Sequence, residues 1–461
     1  MTEKNTNPLS VVILAAGQGT RMRSQLPKVL HEVAGKPLLA HVIGTATRLG
    51  AEAIHVVYGH GGAAVQTALA GLHVNWVEQS EQLGTGHAVA QAIPHIPGSH
   101  RVLILYGDVP LIGQETLERL VTSAGNSVVS LLTAEVDDPD GYGRILLNVD
   151  GNVSGIVEQK DASKQQLAIR EINTGMLSAP AAKLDSWLKR LSNDNAQGEY
   201  YLTDVIAMAA AEGVAVHSVR ADNEEEILGV NDRSQLAYLE RCYQANVAHK
   251  LMSDGVTLRD PKRIDVRGDI QVGTDIVIDI NVVFEGRVVL GSNVHIGANC
   301  VLRDVVVGEG TVILPNCVVE NSEIGDDCQI GPFTRIRPDS ILQAGVKLGN
   351  FVETKKTSIG RGSKINHLSY IGDATVGNGV NVGAGCITCN YDGANKYQTV
   401  IGDGAFIGSD CQLVAPVKIG ERAYVGAGST ITKDAPPEQL SVSRSKQIVI
   451  KGWKPPKKAK N

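Results

Sequence analysis

A glycine-rich turn follows the first apolar run of the chain. The run LSVVIL leads into LAAGQGTRM, residues 14–22, and Lys28 follows in QLPK. Backbone N–H groups in such a turn can face a phosphate, Arg21 can bind phosphate oxygens through two parallel hydrogen bonds, and Lys28 adds a point charge. The turn has neither the GxxxxGK[ST] pattern of an ATP-binding P-loop nor, at Met22, the third glycine of a dinucleotide-binding turn. From these residues alone, phosphate binding and an ordinary strand-to-helix turn are both open.

A carboxylate ends a second apolar run, RVLILYGD. Asp108 stands where the carboxyl end of a buried strand would bring a hard cation to a polyphosphate. Mg²⁺ at this position would bridge phosphoryl oxygens and offset negative charge during phosphoryl transfer. The alternative role for Asp108 is that of a helix cap or turn residue. Asp138 and Asp140 also have the DxD spacing of some metal sites, but their context, DDPDGYG, is more typical of a turn.

A second group of polar side chains lies in the C-terminal half. KINHLSYIGDATVGNGVNVGAG carries His367, Tyr370 and Asn381, with cations in neighbouring repeats. Those cations are Arg337, Lys355 and Lys396. An imidazole among cations that suit a phosphate could deprotonate an amine, although a lone histidine in a repetitive fold is more often a surface residue.

Two different patterns of apolar residues surround these candidates. Up to about residue 230, short apolar runs alternate with helical stretches. This alternation predicts an α/β domain with a mostly parallel, Rossmann-like sheet, whose ligands bind at the carboxyl ends of the strands. From Arg233 to Asp254 the chain has helical spacing and no glycine or proline, which predicts a connecting helix. The expected division is therefore a first domain over residues 1–232, a linker helix over 233–254 and a second domain over 255–461.

After the linker, aliphatic residues recur every six positions. The first series runs from Val272 to Leu302 and the last from Ile401 to Ile431, and a glycine often follows, as in Ile296-Gly297. This hexapeptide period predicts a parallel β-helix, in which the aliphatic side chains point inward and the small residues allow tight turns. The register fails at length only between positions 382 and 401, where CITCNYDGANKYQTV is expected to form a loop on the binding face.

Composition narrows the classes of function. The 461 residues carry a net charge of −6, which gives no reason to expect nucleic-acid binding. Glycine is abundant, at 50 residues, and aromatic residues make up only 4%, as expected where small aliphatic side chains pack repetitively. The N-terminus has no apolar secretion signal, no apolar run reaches the ~18 residues needed to span a bilayer, and the seven cysteines fit a reducing compartment. We therefore expect a cytoplasmic protein that binds neither nucleic acid nor membrane.

The N-terminal motifs together resemble the nucleotidyltransferase domain of sugar-nucleotide pyrophosphorylases. The matching segments are LAAGQGTRM with LPK, EQSEQLGTGHA, YGD, GYGRI, GIVEQKDA, EINTG and GVND. The resemblance implies that the turn wraps a nucleoside triphosphate and that Lys28 contacts its phosphates. It also implies that Asp108 and Asn231 bind Mg²⁺.

The same resemblance implies a complete nucleotide and sugar-nucleotide site. Its residues are Leu14, Ala15, Ala16, Gly17, Arg21, Lys28, Gln79, Gly84, Thr85, Tyr106, Gly107, Asp108, Gly143, Glu158, Asn173 and Asn231. Within this set, the residues that would read the uracil are Gln79, Gly84 and Thr85. Those that would line the sugar-nucleotide site are Tyr106 and Gly107, and those that would hold the amino sugar are Gly143, Glu158 and Asn173.

The C-terminal half resembles the acetyltransferase half of a two-domain family. NHLSYIGDA, NVGAG, CNYDGANK and IGSD are similar to segments of the bifunctional N-acetylglucosamine-1-phosphate uridylyltransferase/glucosamine-1-phosphate N-acetyltransferases, and the likeness extends over essentially the whole chain in the same domain order. This family implies a left-handed β-helix and a homotrimer with the acetyl-transfer site between subunits. It also implies that His367 is the general base acting on the glucosamine 2-amine.

The remaining acetyltransferase residues follow from the same resemblance. Those that would hold the sugar phosphate are Arg337, Lys355 and Lys396, and those that would position the sugar are Tyr370 and Asn381. Those that would contact acetyl-CoA are Ala384, Asn390, Tyr391, Ser409, Ala427 and Arg444. Asn390 or Ser409 would stabilise the oxyanion of the tetrahedral intermediate. The lysine-rich tail KGWKPPKKAKN is either a solvated end or a contributor to binding CoA phosphates.

The implied function is the synthesis of UDP-N-acetylglucosamine in two steps. Glucosamine 1-phosphate would be acetylated by acetyl-CoA, and N-acetylglucosamine 1-phosphate would then react with UTP and Mg²⁺, releasing pyrophosphate and supplying peptidoglycan and lipopolysaccharide precursors. One alternative keeps the nucleotidyltransferase and makes the β-helix a regulatory or assembly module, but such a scaffold needs neither His367 nor the CNYDGANK loop. A non-enzymatic binding protein is the other alternative, against which Asp108 and Lys28 argue.

Overall fold

The computed structural model describes residues 8–17, 19–59, 61–123 and 128–456. The chain divides into two compact units, Met1–Tyr243 and Gln244–Asn461, and the boundary in the sequence falls inside the long helix Arg233–Ser253. The division at residues 232 and 254 stays a prediction. Residues 457–461 of the lysine-rich tail lie outside the described residues.

The first unit is an α/β domain. Its strands are β1 (Leu9–Ala15), β2 (Glu32–Val33), β3 (Lys36–Pro37), β4 (Ala53–Tyr58), β5 (Asn75–Glu78), β6 (Arg101–Tyr106), β7 (Val129–Glu135), β8 (Gly143–Leu147), β9 (Val153–Val157), β10 (Glu171–Pro180) and β11 (Val216–Arg220). Its α-helices are α1 (Leu38–Arg48), α2 (Gly62–Ala68), α3 (Thr85–Ala92), α4 (Gln114–Thr122), α5 (Lys164–Leu167), α6 (Ala181–Leu188) and α7 (Asp204–Ala211), followed by the long helix α8 (Arg233–Ser253). Short 3₁₀ turns cover Thr20–Met22, Lys28–Leu30, Ile93–His95 and Glu225–Ile227.

The main sheet of this unit is mostly parallel, as predicted. Its strand order is β11-β7-β10-β6-β1-β4-β5, and β10 runs antiparallel to β6, β7 and β8. Alternate residues of β1 pack into different cores, Val11 and Ile13 on one face and Val12 and Leu14 on the other. Burial of both faces explains the continuous apolar runs in the sequence. Strands β1 and β6 pair in parallel, so the glycine-rich turn and Asp108 emerge at the same edge.

A buried histidine in this sheet makes the stability of the protein depend on pH. His55 of β4 is 2% exposed, and within the described part of the chain both of its ring nitrogens lack a hydrogen-bond partner. Burial, with a smaller contribution from His95, lowers the pKa of His55 below its ordinary value. The folded protein therefore holds the ring neutral at pH values where the unfolded chain binds a proton.

We expect the melting temperature to fall as the pH drops below about 6.5, because only the unfolded state gains a proton at His55 in that range. His55→Leu should remove part of this pH dependence. Each kcal/mol of unfolding free energy that no longer depends on pH corresponds to a change of about 2–4 °C in the melting temperature. The difference between the melting temperatures at about pH 8 and about pH 5.5 measures this pH dependence. His73→Leu, at an exposed histidine, is the matched control. Equal pH dependence in His55→Leu and the wild type would contradict the assignment.

The second unit is a left-handed parallel β-helix, as predicted. One long sheet contains β12 (Thr257–Leu258), β14 (Val277–Ile278), β16 (His295–Ile296), β18 (Val312–Ile313), β20 (Gln329–Ile330), β23 (Lys347–Asn350), β25 (Lys364–His367), β27 (Asn381–Val382), β30 (Phe406–Ile407), β33 (Tyr424–Val425) and β35 (Leu440–Ser441). The other contains β13 (Ile264–Val272), β15 (Val282–Leu290), β17 (Val301–Val307), β19 (Val318–Ile324), β21 (Arg335–Ile336), β22 (Ser340–Leu342), β24 (Glu353–Ile359), β26 (Tyr370–Val376), β28 (Ile387–Cys389), β29 (Thr399–Ile401), β31 (Gln412–Val414), β32 (Val417–Ile419) and β34 (Thr430–Ile431).

The hexapeptide aliphatic residues form the core of this unit. Ile296, Ile330 and Ile407, for example, are at most 2% exposed and belong to one continuous cluster. The coil leaves this pattern after β28 and resumes it at β29, so residues 390–398 form a loop where the six-residue register fails. The seven cysteines are all free. None of the helices in the described ranges is long and apolar enough to cross a membrane.

One corner of the coil places a residue with positive φ at successive levels. These residues are Asn281, Asn299, Asn316, Phe333, Phe351, Leu368, Gly385, Asp410 and Gly428. Their backbone N–H groups bond to the preceding coil, which stacks the corners along the helix axis. Asparagine and glycine suit this conformation, whereas phenylalanine and leucine do not.

Candidate active sites

A cavity of about 250 Å³ opens at the carboxyl edge of the sheet, beside β1 and β6. The predicted residues that line it are Leu14, Ala15, Ala16, Gly17, Lys28, Gln79, Gly84, Thr85, Tyr106 and Asp108. Other predicted residues lie outside this lining. Gly107 is fixed beneath the cavity by a hydrogen bond from its N–H to the Leu14 carbonyl, at 2.9 Å, and Arg21 is exposed in the 3₁₀ turn Thr20–Met22.

Lys28 joins the two predicted metal ligands. Its ammonium group donates to Asn231 Oδ1 at 2.8 Å and forms an ion pair with Asp108, whose side chain is 20% exposed. The glycine turn packs on the same lysine: a Cβ at Gly19, where φ is 61°, would lie only 2.6 Å from Lys28 Cβ. Glycine is therefore required at this position to bring the turn onto Lys28.

The oxygen donors around Lys28 fit a hard cation. A carboxylate and an amide oxygen, from Asp108 and Asn231, converge on a single positive charge. These are ligands that Mg²⁺ prefers, but it needs more oxygens than two side chains supply. Within the described residues there is no group of three or more histidine, cysteine, aspartate or glutamate side chains that could hold a metal. A metal here would complete its shell with phosphate oxygens and water.

One end of the cavity is formed by the start of helix α3. Gln79 is 3% exposed, and its Nε2 donates to the Gly84 carbonyl at 3.2 Å and lies 3.0 Å from His87 Nδ1. Gly84 has a φ of 113°, and a Cβ there would lie 2.7 Å from the Tyr200 carbonyl oxygen. Thr85 is the first residue of the helix. This end therefore has a tightly packed backbone at Gly84 and a fixed amide at Gln79.

The predicted amino-sugar residues come together beside Tyr106. Gly143 of β8 pairs with Asn173 of β10, and Asn173 Oδ1 accepts a hydrogen bond from the Gly175 N–H at 3.0 Å. Gly175, with a φ of 82°, lies under the Tyr106 ring, since a Cβ there would be 2.5 Å from Tyr106 Cε2. The Tyr106 side chain therefore stands between this group and the cavity.

Two nearby carboxylates raise the pKa of Tyr106. Glu158 accepts a hydrogen bond from Thr203 Oγ1 at 3.0 Å, and burial raises the pKa of Glu158 despite that bond. The pKa of Tyr106 is raised mainly by its burial and further by Glu158 and Asp108. The phenol therefore stays protonated and can serve as a hydrogen-bond donor.

In the β-helix, His367 begins a straight column of predicted residues. The backbone carbonyls of His367, Ala384 and Ser409 accept hydrogen bonds from the next coil at 3.3, 2.7 and 2.8 Å, so Ala384, Ser409 and Ala427 follow His367 at successive levels. Arg444 Nη1 donates to the Ala427 carbonyl at 2.8 Å. We call His367, Ala384, Ser409 and Ala427 the corner column. The small side chains of Ala384, Ser409 and Ala427 follow the exposed imidazole of His367 over about three coil spacings of 4.8 Å and leave room beside it.

The three predicted cations lie around the neighbouring corner. Arg337 donates to Glu353 at 2.8 Å, and the Lys396 ammonium, with a smaller contribution from Arg337, lowers the pKa of Lys355. Lysines brought this close repel one another. An anion placed between them would relieve that repulsion, and the set therefore suits a phosphate.

Tyr370 and Asn390 meet next to these cations. Asn390 Nδ2 lies 3.5 Å from Tyr370 Oη and donates to the Asp373 carboxylate. The Tyr370 ring covers Gly372, which is in register with Lys355. In the described part of the chain no hydrogen bond joins the His367 ring to this cluster, because the corner after His367 separates them.

The remaining predicted acetyltransferase residues are more scattered. Asn381 lies in β27, in register with Lys364 of β25. Tyr391 is exposed in the 390–398 loop, and its hydroxyl donates to the Gly393 carbonyl at 2.5 Å. The structure adds residues to the two sites that were not predicted from the sequence. These are Val29, Gln82, Ala88 and Glu199 at the cavity and Asp373 at the cation cluster, and no spacing in the sequence distinguished them.

Fold and sites together define a two-part transferase, in which a nucleotidyltransferase domain precedes a hexapeptide β-helix. Models of protein families agree. The MobA-like NTP transferase domain matches residues 11–151, the GMPPB C-terminal domain matches 266–359, and the bacterial transferase hexapeptide (six repeats) matches 398–433.

Curated relatives carry the likeness over the whole chain. The Bifunctional protein GlmU of Aromatoleum aromaticum is 59% identical over 98% of this chain and 99% of its own length. Those of Azoarcus sp. and Marinobacter nauticus are each 58% identical over 98% of this chain and 100% of their own length. The chain belongs to the bifunctional GlmU family. It is an enzyme with uridylyltransferase and N-acetyltransferase activities, which confirms the expected function, and a purely regulatory β-helix is not favoured.

Proposed function

We propose that the first unit transfers uridylyl from UTP to N-acetylglucosamine 1-phosphate at the cavity beside β1 and β6. The observation that carries this proposal is the convergence of Lys28, Asp108 and Asn231 beside the fixed amide of Gln79. Lys28 would pair with the phosphates of UTP, leaving Asp108 and Asn231 to hold Mg²⁺. Bound Mg²⁺ would offset the negative charge on the phosphates. A phosphate oxygen of the sugar attacks the α-phosphorus, the bond to the β-phosphate oxygen breaks, and pyrophosphate leaves.

The Gln79 amide supports uracil as the base. Its two Nε2 hydrogens are directed to the Gly84 carbonyl and His87 Nδ1, so its oxygen is the group that remains for a ligand. Uracil carries an N–H at ring position 3 that can donate to this oxygen. Cytosine carries an unprotonated nitrogen there and cannot donate.

The second unit, in this proposal, acetylates the 2-amine of glucosamine 1-phosphate. Arg337, Lys355 and Lys396 would hold the phosphate, supported by the lowered pKa of Lys355 next to Lys396. Acetyl-CoA would lie along the corner column. The amine nitrogen attacks the thioester carbonyl, the carbon–sulfur bond breaks to release CoA, and His367 accepts the proton lost by the amine.

We also propose that the active form is a homotrimer, and that the corner ridge forms part of its interface. We define the corner ridge as Phe333, Phe351 and Leu368, which are 50%, 57% and 63% exposed with φ values of 55°, 58° and 46°. Each costs about 1–2 kcal/mol relative to glycine in this conformation, and each exposes apolar surface. A second copy of the chain, seated against this ridge next to His367, would offset both costs.

Phe351→Asp should therefore weaken assembly by about 30-fold or more, as loss of a central interface residue does, and should reduce acetyl transfer with it. Uridylyl transfer should remain. Analytical ultracentrifugation gives the oligomeric state. Asn316→Asp, at the same corner, is the matched control because aspartate also tolerates its φ of 64°. A Phe351→Asp variant that sediments like the wild type would remove the ridge from the interface.

A cytoplasmic location completes the proposal, since the seven free cysteines suit a reducing compartment. The whole function is tested by incubating the protein with glucosamine 1-phosphate, acetyl-CoA, UTP and Mg²⁺. Mass spectrometry should detect UDP-N-acetylglucosamine only when all four are present. Formation of UDP-glucosamine at the same rate without acetyl-CoA would contradict the proposed order of steps.

A further inference from the structure

His87 was not among the predicted site residues, yet it contacts the side-chain amide of Gln79, which lines the base end of the cavity. The histidine lies in the first turn of α3, half-buried, and its ring is tilted against Tyr200 with centroids 6.5 Å apart. Its Nδ1 is 3.0 Å from Gln79 Nε2, and its Nε2 is 3.2 Å from the side-chain amide of Gln91, which also lies 3.3 Å from the His87 carbonyl oxygen. Three neighbours therefore hold the ring in place.

The contacts of Gln79 determine which way its amide points. Gln79 Nε2 lies 3.2 Å from the Gly84 carbonyl oxygen, which can only accept a hydrogen bond. The nitrogen end must therefore face Gly84, and its second hydrogen is directed to His87 Nδ1. This nitrogen of the ring is consequently the unprotonated acceptor, and the ring proton lies on Nε2. The half-buried Gln91 then turns its amide oxygen toward that N–H, whereas the buried Gln79 amide stays fixed by Gly84. If the amide were reversed, its oxygen would face the Gly84 carbonyl, and His87 would have to move its proton to Nδ1 and lose the bond from Nε2–H to Gln91.

We infer that His87 is a positioning residue that selects the base of the nucleotide by holding the Gln79 oxygen toward the cavity. The inference deepens the proposed function and rests on its assignment of Gln79 to the base. A pyrimidine with an N–H at ring position 3 can donate to that oxygen. A pyrimidine with an unprotonated nitrogen there would need the reversed amide, which the Gly84 carbonyl and His87 Nδ1 both disfavour.

Loss of the His87 acceptor should lower the selectivity of the enzyme for UTP over CTP. In His87→Leu and His87→Phe, only the Gly84 carbonyl still orients Gln79. One neutral hydrogen bond is worth about 3- to 10-fold, and the ratio of kcat/KM values for UTP and CTP should fall by about that factor. His87→Asn keeps an acceptor near Nδ1 and should retain the wild-type ratio. Phenylalanine preserves the shape of the ring if the leucine variant is unstable.

Three measurements make the result decisive. Acetyl transfer by the second unit should be unchanged and measures the amount of intact enzyme in each preparation. His73→Leu, at an exposed histidine, should leave the ratio at the wild-type value. Gln79→Leu tests the proposed function itself: if it preserves the preference for UTP, Gln79 does not read the base. The role of His87 is wrong if Gln79→Leu loses the preference for UTP while His87→Leu and His87→Phe keep it. It is also wrong if His87→Asn loses the preference as much as His87→Leu does.

Discussion

Replacement of Asp108 by asparagine is expected to reduce uridylyl transfer by at least about 100-fold, the usual effect of removing one electrostatic contact to a transferring group. Within the described residues Asp108 forms the ion pair with Lys28, and with Asn231 it supplies the two oxygens that fit Mg²⁺. Asparagine keeps the size of the side chain and removes its charge. The loss should therefore come from weaker cation binding rather than from repacking.

The measurement is the initial rate of pyrophosphate release from UTP and N-acetylglucosamine 1-phosphate over a range of Mg²⁺ concentrations. Asp108→Asn should require more Mg²⁺, and chelation should stop the wild-type reaction. Asp138→Asn, in an exposed turn, is the matched control and should behave as the wild type. Acetyl transfer should be unaffected in both variants. Uridylyl transfer that survived both Asp108→Asn and chelation would eliminate the metal assignment.

Replacement of His367 by alanine is expected to reduce acetyl transfer by about 100- to 10,000-fold, the usual contribution of a general base. His367 is exposed at the start of the corner column, with room beside it for a thioester above Ala384, Ser409 and Ala427. Removal of the imidazole leaves those backbone positions and the cation cluster intact. Binding of glucosamine 1-phosphate should therefore change little, and the loss should be in kcat.

The rate of CoA release from acetyl-CoA and glucosamine 1-phosphate measures this effect. His295→Ala, at an exposed histidine of β16 in the same sheet, is the matched control. Uridylyl transfer from N-acetylglucosamine 1-phosphate should continue at the wild-type rate in both variants. If His367→Ala acetylated its substrate at a near wild-type rate, another group would have to accept the proton.

The β-helix could be predicted well because its pattern is local. An aliphatic residue must point inward at every sixth position, and a small residue must follow at many corners, as in Ile296-Gly297. The period is therefore visible in any stretch that contains a few repeats. The loop over 390–398 was visible for the same reason, as a failure of that period. The parallel sheet of the first unit also followed from local pattern, because strands buried on both faces are continuously apolar.

The partners within each site could not be predicted in the same way. Lys28 and Asn231 are separated by 203 positions, and only the packing of the turn against the sheet brings them to 2.8 Å. Ser409 follows Ala384 by one coil although 25 positions separate them, because the inserted loop lies between. Asp373 was missed because its role depends on Asn390, whose side-chain amide donates a hydrogen bond to the Asp373 carboxylate from the next coil.

The sequence by itself determined the two fold classes and the reactive residue types, because periodicity and composition act over short distances along the chain. Only the tertiary structure decided how those residues are combined. It directed the ammonium of Lys28 to both Asp108 and Asn231, and it oriented the Gln79 amide between Gly84 and His87. Hydrogen-bond direction depends on which donors and acceptors are brought within about 3 Å, and long-range packing determines that.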